Sequence, residues 1–250
     1  MIKTFNKNRF VHLILFVFIV FLKVNSTPAL AQQAAPMPAS ETSPWALASF
    51  ISAVQSNAMR SVEPFLSKGV DINALDQKAP HNSALHWAVW SDATQVLELL
   101  LKQKNIVVDT LNGAEETPLM IAALKGNVRV VKQLLAAGAY PNKEGWTALH
   151  YAATNGHVEI MQLLLDAHAY IDAESPNKTT PLMMAAKSKN ILAVKLLLDE
   201  GAELSLKNEL GWDAHKFAVH EGAVEIAAGL ASRASKLKVF EERSTKDKEK

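Results

Sequence analysis

Eight histidines and no cysteine set the limits on the chemistry this 250-residue chain can do. The missing thiols exclude disulfides, thiolate metal sites, a cysteine nucleophile and a lipid-modified N-terminal cysteine. His150 and His157 stand seven residues apart, which fits no zinc-binding spacing, and no H-E-x-x-H helix is present. His81, His168, His215 and His220 are scattered. Neither a G-x-S-x-G nucleophile turn nor a glycine-rich phosphate loop occurs. The pairs Glu115-Glu116 and Glu241-Glu242 are adjacent in sequence. General acid–base catalysis needs carboxylates held in distinct environments on a rigid frame, so these pairs read as solvated charge. The expectation is a chain with no catalytic site, metal or cofactor.

What remains is a body able to fold and bind. Apolar residues make up 49% of the chain and charged residues 20%, enough to bury a core and too apolar for disorder. The formal charge of +1 hides an asymmetry, because Lys3, Lys7, Arg9 and Lys23 lie in the first 31 residues with no acid among them. The rest carries 22 basic against 25 acidic residues, and a net-acidic body lacks the electrostatic footprint of a nucleic-acid binder.

The basic start is followed by an unbroken apolar run, Leu13 to Leu22, and then by Ala29-Leu30-Ala31 before Gln32. Basic region, short apolar core and small-residue site are the three parts of a secretory signal peptide. The run is shorter than the roughly 20 residues of a comfortable membrane span. Residues 1–31 are therefore expected to be cleaved, with an uncleaved anchor as the alternative. Either way the body leaves the cytoplasm, for the periplasm of a Gram-negative cell or beyond. Residues 32–44, rich in Ala, Pro, Ser and Gln, read as a linker.

From there one pattern recurs. TPLMIAALKGNVRVVKQLLAAGA at 117–139 returns as TALHYAATNGHVEIMQLLLDAHA at 147–169, TPLMMAAKSKNILAVKLLLDEGA at 180–202 and SALHWAVWSDATQVLELLLKQKN at 83–105. Weaker copies start at 48 and 213, so successive starts are separated by 35, 34, 30, 33 and 33 residues. A period near 33 with a Thr-Pro-Leu-His start resembles the ankyrin repeat. The resemblance covers 45–233 and implies an all-α solenoid of about six helix–turn–helix repeats with projecting hairpin fingers. Departures from the pattern are Met120 and Met183 in place of the motif His, Asp92 in place of a turn Gly, and His168 in place of a terminal Gly. His86 and His150 match the motif His, which in that family hydrogen-bonds within the repeat, and His157 matches its inter-helix turn.

The residues support the same architecture without the name. Thr147 and Thr180 precede a short apolar helix, where a hydroxyl can satisfy an orphan amide. Pro118 and Pro181 follow a threonine, at the first helical position, where a missing N–H costs nothing. Ala122-Ala123, Ala152-Ala153 and Ala185-Ala186 allow close helix approach. Gly126 and Gly156 suit a turn of positive φ. Val130, Val131, Leu134 and Leu135 give the second helix one apolar stripe, buried only by stacking. The end copies read as caps: Pro64 lies inside the second helix of the first, where a terminal repeat can tolerate a kink, and the last has Asp213 as an N-cap and Lys216 at the His position. Residues 234–250 read as a charged, frayed tail.

Aromatic residues are the candidate binding groups. Trp87, Ile121, Tyr151, Met184 and Phe217 share one repeat position and read as inter-repeat core. Trp90, Trp146 and Trp212 lie near turns or just before a helix start, and Tyr140 and Tyr170 lie in the fingers. In the resembled family such finger and first-helix positions line the partner-binding face. Large aromatics supply contact area with few rotors to freeze. The alternative is that each Trp packs on its neighbouring finger and stiffens the row. The sequence thus reads as a monomeric, exported, non-catalytic scaffold for a protein partner, meeting a membrane only through its signal peptide. A secreted effector acting on host proteins, a structural spacer and, remotely, an enzyme with a site in the groove are the rival readings.

Overall fold

The computed structural model describes residues 44–78 and 80–248, and within them every regular element is a helix. The expected signal peptide and all of the linker but Pro44 lie outside the described residues. The helices come in six pairs: α1 (Pro44–Gln55) with α2 (Met59–Ser67), α3 (Ala84–Trp90) with α4 (Thr94–Leu101), and α5 (Pro118–Lys125) with α6 (Val128–Ala136). Then follow α7 (Ala148–Asn155) with α8 (Val158–Asp166), α9 (Pro181–Lys187) with α10 (Ile191–Asp199), and α11 (Ala214–His220) with α12 (Val224–Lys248). Each first helix packs on its own second helix and on the first helices of the neighbouring pairs, and each second helix packs on the adjacent second helices. This is an α-solenoid with a one-dimensional core.

Local chemistry sets the helix ends. The Thr117 and Thr180 hydroxyls accept from the amides of Met120 and Met183, and the Asp213 carboxylate accepts from Lys216. Pro118 and Pro181 open α5 and α9. Within each pair the chain turns through one residue of positive φ: Asn57, Asp92, Gly126, Gly156, Lys189 and Gly222. Asp92 takes the place of a glycine because its carboxylate is held by Lys125 Nζ at 2.8 Å and Asn127 Nδ2 at 3.1 Å from the next pair. Lys125 Nζ also donates to the carbonyls of Val89 and Trp90, closing the end of α3. His157 Nε2 donates to the Leu124 carbonyl, as its structural reading requires.

The alanine pairs of α5, α7 and α9 are wholly buried, and so are Leu119, Leu149, Leu134 and Leu164. Removing such a leucine leaves a cavity worth about 2–5 kcal/mol, so the stack is held by its interfaces. Three features differ from the sequence reading. The first helix begins at Pro44, four residues before the expected repeat start; Pro64 lies inside α2, where the sequence placed it, with Val62 and Phe65 buried beside it. Residues 234–248 are not frayed; they continue α12, because Ala, Leu, Lys and Glu are strong helix formers whatever their charge. The last pair is not a polar cap. Val219 is 56% exposed, whereas Val89, Ala123, Ala153 and Ala186 at the same repeat position are 0% exposed beneath the next pair.

The fingers joining the pairs are loops 68–83, 102–117, 137–147, 167–180 and 200–213. They are not strand-paired. In the fingers His168 stands in place of a glycine in left-handed backbone, at φ 65°. A left-handed L-residue costs about 1–2 kcal/mol, part of which glycine returns as lost unfolded-state entropy. His168→Gly is therefore expected to raise stability by about 0.5–1 kcal/mol, read as a higher urea midpoint with unchanged slope.

Candidate protein-binding surface

Trp90, Trp146 and Trp212 are each half-buried. Trp146 lies after Gly145, whose φ is 80°, and meets the His150 ring edge-on at 5.2 Å. Trp212, after Gly211, packs on Phe217 at 5.3 Å and His220 at 5.0 Å, with Lys216 Nζ 5.2 Å from its centroid. Trp90 ends α3, with Lys125 Nζ 5.9 Å from its ring. Trp146 and Trp212 thus meet rings of the helix that follows them.

Tyr140 and Tyr170 behave differently. They are 57% and 63% exposed, on neighbouring fingers, and the structure brings them together. Interaction with the Tyr140 phenol holds that of Tyr170 above the usual phenol range. Their register comes from a ladder that the sequence reading missed. Asn73 Oδ1 accepts from Val107 N, the Asp109 carboxylate from Tyr140 N, Asn142 Oδ1 from Tyr170 N, and the Asp172 carboxylate from Glu203 N. The available signal was an Asn or Asp three residues after Val70, Ile106, Ala139 and Ala169. Burial pushes the carboxyls of Asp109 and Asp172 up, and the accepted amide hydrogen bonds pull them back down.

The shared core position splits. Ile121 and Met184 are buried, whereas Trp87, Tyr151 and Phe217 are only half-buried. Trp87 Nε1 donates to Asp76 at 2.7 Å, and the Tyr151 hydroxyl donates to Glu116 at 2.8 Å. Burial first, and then the Glu116 charge, push the Tyr151 phenol up. Glu116, expected to be solvated, thus ties two repeats together and also accepts from Asn112 Nδ2; Glu115 beside it is exposed.

The motif histidines link repeats as well as closing their own. The Thr147 amide can only donate, and it donates to His150 Nδ1 at 3.2 Å. The ring proton is therefore on Nε2, which donates to the Thr179 carbonyl of the next finger at 2.9 Å. His86 repeats this with Ser83 and Glu116. Burial lowers both imidazoles, His150 to about 4. Among the described residues no cluster of three His, Asp or Glu side chains could hold a metal, and no helix is long and apolar enough to cross a membrane.

The finger tips carry a further irregularity. Asp76, Asn112, Ser175 and Asn208 each close a tip by a backbone bond, to Asn82, Glu116, Thr179 and Trp212 respectively. Gly113 N donates to the Pro80 carbonyl, and Glu209 N to that of Asn177, so tips are tied in two pairs. The finger between these pairs, 137–147, has 11 residues against 14–16 in the others and lacks the closing bond. The 30-residue spacing between copies was its trace in the sequence.

Stacked helix pairs, threonine-capped first helices and interlocking imidazoles occur together in one known architecture, and the family model for ankyrin repeats matches residues 85–176 and 167–240. The chain belongs to the ankyrin-repeat family. Among relatives, an ankyrin repeat protein of Rickettsia felis is 30% identical over 164 residues, covering 55% of this chain and 43% of that protein. The human transient receptor potential cation channel subfamily A member 1 is 31% identical over 165 residues, 61% of this chain and 14% of the channel. The mouse nuclear factor NF-kappa-B p105 subunit is 36% identical over 98 residues, 39% of this chain and 10% of that subunit. The ankyrin-repeat chain thus spans less than half the length of these relatives. Ankyrin repeats generally mediate contacts between proteins, and the family is generally non-catalytic.

Proposed function

We propose that this ankyrin-repeat chain is an exported, monomeric, non-catalytic scaffold that binds a protein partner in the periplasm or cell envelope. The observation that carries the reading is the Tyr140–Tyr170 pair, two large aromatics more than half exposed and held in register by the finger ladder. Trp90, Trp146 and Trp212, each half-buried, extend the surface. Rigid aromatics bind with little entropy left to lose. The export reading rests on the basic, apolar and small-residue order of residues 1–31.

Two measurements test this. N-terminal sequencing of the exported protein should begin at Gln32; an N-terminus at Met1 in membrane pellets would favour an anchor. The tagged chain from residue 32 should capture a partner from envelope fractions, and Tyr140→Ala with Tyr170→Ala should weaken that complex about 30-fold or more, the loss of about 2 kcal/mol expected of hot-spot aromatics. The thermal melt should stay unchanged, since both rings are exposed. Trp146→Ala with Trp212→Ala should also weaken binding, with a lower melting temperature because His150, Phe217 and His220 lose ring contacts. Undiminished affinity in both double variants would remove the aromatic surface from the proposal.

A further inference from the structure

The finger ladder carries an outer row. Val107, Tyr140, Tyr170 and Glu203 come one from each of four successive fingers, and each offers its amide to the Asn or Asp of the finger before. That shared bond fixes their order and sets them at one equivalent position. All four are exposed, Val107 at 52% and the tyrosines at 57% and 63%. The residue after each turns inward: Pro141 is buried, and Val108, Ile171 and Leu204 are half-buried. The row thus reads valine, tyrosine, tyrosine, glutamate along the stack.

Its chemistry narrows what can lie on it. The four amides are already accepted by the ladder, so the row has no free donors for an added strand. Recognition falls to side chains, two of them phenols. The acid at the far end is fixed, because Glu203 Oε1 accepts from the Ser205 amide at 2.9 Å. Hydrogen bonds from Ser205 hold that carboxyl below its ordinary range, so it is ionised at neutral pH. Asp172 beside it and Glu200 three residues before it make this end acidic. No member of the row is a base. Lys104 stands at the valine end, three residues before Val107, and Lys143 Nζ is turned to the Glu144 carbonyl at 2.8 Å.

The spacing narrows it further. Packed helices lie about 8–10 Å apart, and the row repeats once per helix pair. A polyproline II chain repeats every three residues, about 9 Å at 3.1 Å per residue. Every third side chain of such a chain therefore meets a successive finger. The conformation has no internal hydrogen bonds, so its carbonyls are open to phenol hydroxyls, and proline rings lie well on aromatic faces. Three steps along the row, about 28 Å, correspond to about ten residues.

We propose that the Val107–Tyr140–Tyr170–Glu203 row binds a proline-rich segment of a protein partner in the polyproline II conformation, with every third residue on a finger and an arginine or lysine at Glu203. This rests on the reading of Tyr140 and Tyr170 as a binding surface, and it names the class of partner that surface takes.

The test uses the whole chain and fluorescein-labelled, end-blocked peptides in fluorescence anisotropy. Two carry nine prolines with one Arg, at either end, because the row leaves the direction open. The tighter of these is expected to bind roughly tenfold or more tightly than its counterpart with Glu for Arg, and than a peptide with the same Arg and nine Gly and Ser residues. Raising salt should narrow the Arg-over-Glu preference, and Glu203→Gln should largely abolish it. Tyr140→Ala with Tyr170→Ala should cost the Arg–proline peptide roughly tenfold or more, and Val107→Asp roughly fivefold, at unchanged melts because these side chains are exposed. A peptide with only three prolines and the same Arg should also bind more weakly, since it cannot span the row. Equal binding of the proline and Gly-Ser peptides would overturn the proposal, as would equal binding of the Arg and Glu forms or indifference to Val107→Asp. So would tighter binding by a leucine-striped helical peptide with the same Arg. The two readings separate in competition. If the envelope partner depends on Tyr140 and Tyr170 but the Arg–proline peptide does not displace it, the tyrosine surface stands and the proline class falls. If the double Tyr variant loses the peptide but not the partner, the proline site stands and the tyrosines leave the partner surface.

Discussion

Lowering the pH from 7 to 4 is expected to remove about 3 kcal/mol of stability through His150 alone, at about 1.4 kcal/mol per pH unit of displacement. Burial lowers its imidazole from 6.5 to about 4, so between those values the unfolded chain binds the proton and the folded chain refuses it. The stabilisation is complete above pH 6.5 and is lost as the pH falls toward 4. The geometry gives the same sign: a proton on Nδ1 would face the Thr147 amide, which is already a donor. His86, lowered for the same reason, adds to the loss. Asp109 and Asp172, raised by burial, act in the opposite sense, gaining as the pH falls through the carboxylate range and so softening the acid limb.

The matching variant is His150→Met, because Met120 and Met183 already occupy this repeat position. Met120 even accepts the Thr117 amide through its sulfur. This variant should fold and show a flatter profile of stability against pH, in urea titrations from pH 7 to 4. Parallel profiles for parent and variant would show that the acid sensitivity lies elsewhere.

Gly156→Ala is expected to cost about 3 kcal/mol or more, against about 1 kcal/mol for Gly222→Ala. The two glycines have nearly the same backbone, φ 66° and 70°, so the left-handed strain is common to both. A Cβ on Gly222 meets nothing within 4 Å, whereas one on Gly156 falls on the Asn190 side chain, 2.8 Å from its Cβ. Asn190 has little room to retreat. Its Nδ2 donates to the Gly156 carbonyl, and its Oδ1 caps α10 by accepting from Ala193. Displacing it therefore loses a cap worth about 1 kcal/mol as well as forcing the packing. Equal losses of melting temperature in the two variants would show that the Asn190 contact is not restrictive.

The pair architecture was legible because it is local. A threonine or aspartate before an apolar run, a proline after the threonine and an alanine pair within the run act over a few residues, and repetition multiplied the signal. The cross-repeat bonds were less legible. Lys125 capping α3, Glu116 accepting from Tyr151 and the Asx ladder join residues 28–36 positions apart. Each is an ordinary polar residue until stacking sets its partner beside it. The five aromatic candidates were found by type and place, but their environments were not, because burial is a property of the neighbours.

From residue order alone came the repeat period, the six helix pairs, the all-α class, the absence of thiol chemistry and the signal-peptide pattern. These follow from propensity, capping and periodicity, which need no partner. Stacking in three dimensions settled the rest. It divided Trp87, Ile121, Tyr151, Met184 and Phe217 into buried and half-buried members, and it set Tyr140 and Tyr170 close together on neighbouring fingers. It also exposed Val219 at a position buried in every upstream pair, because the array ends there. And it left the long α12 running past α10 with Leu237 and Phe240 uncovered, since a helix continues wherever its backbone allows, whereas its apolar stripe is buried only as far as a neighbour reaches.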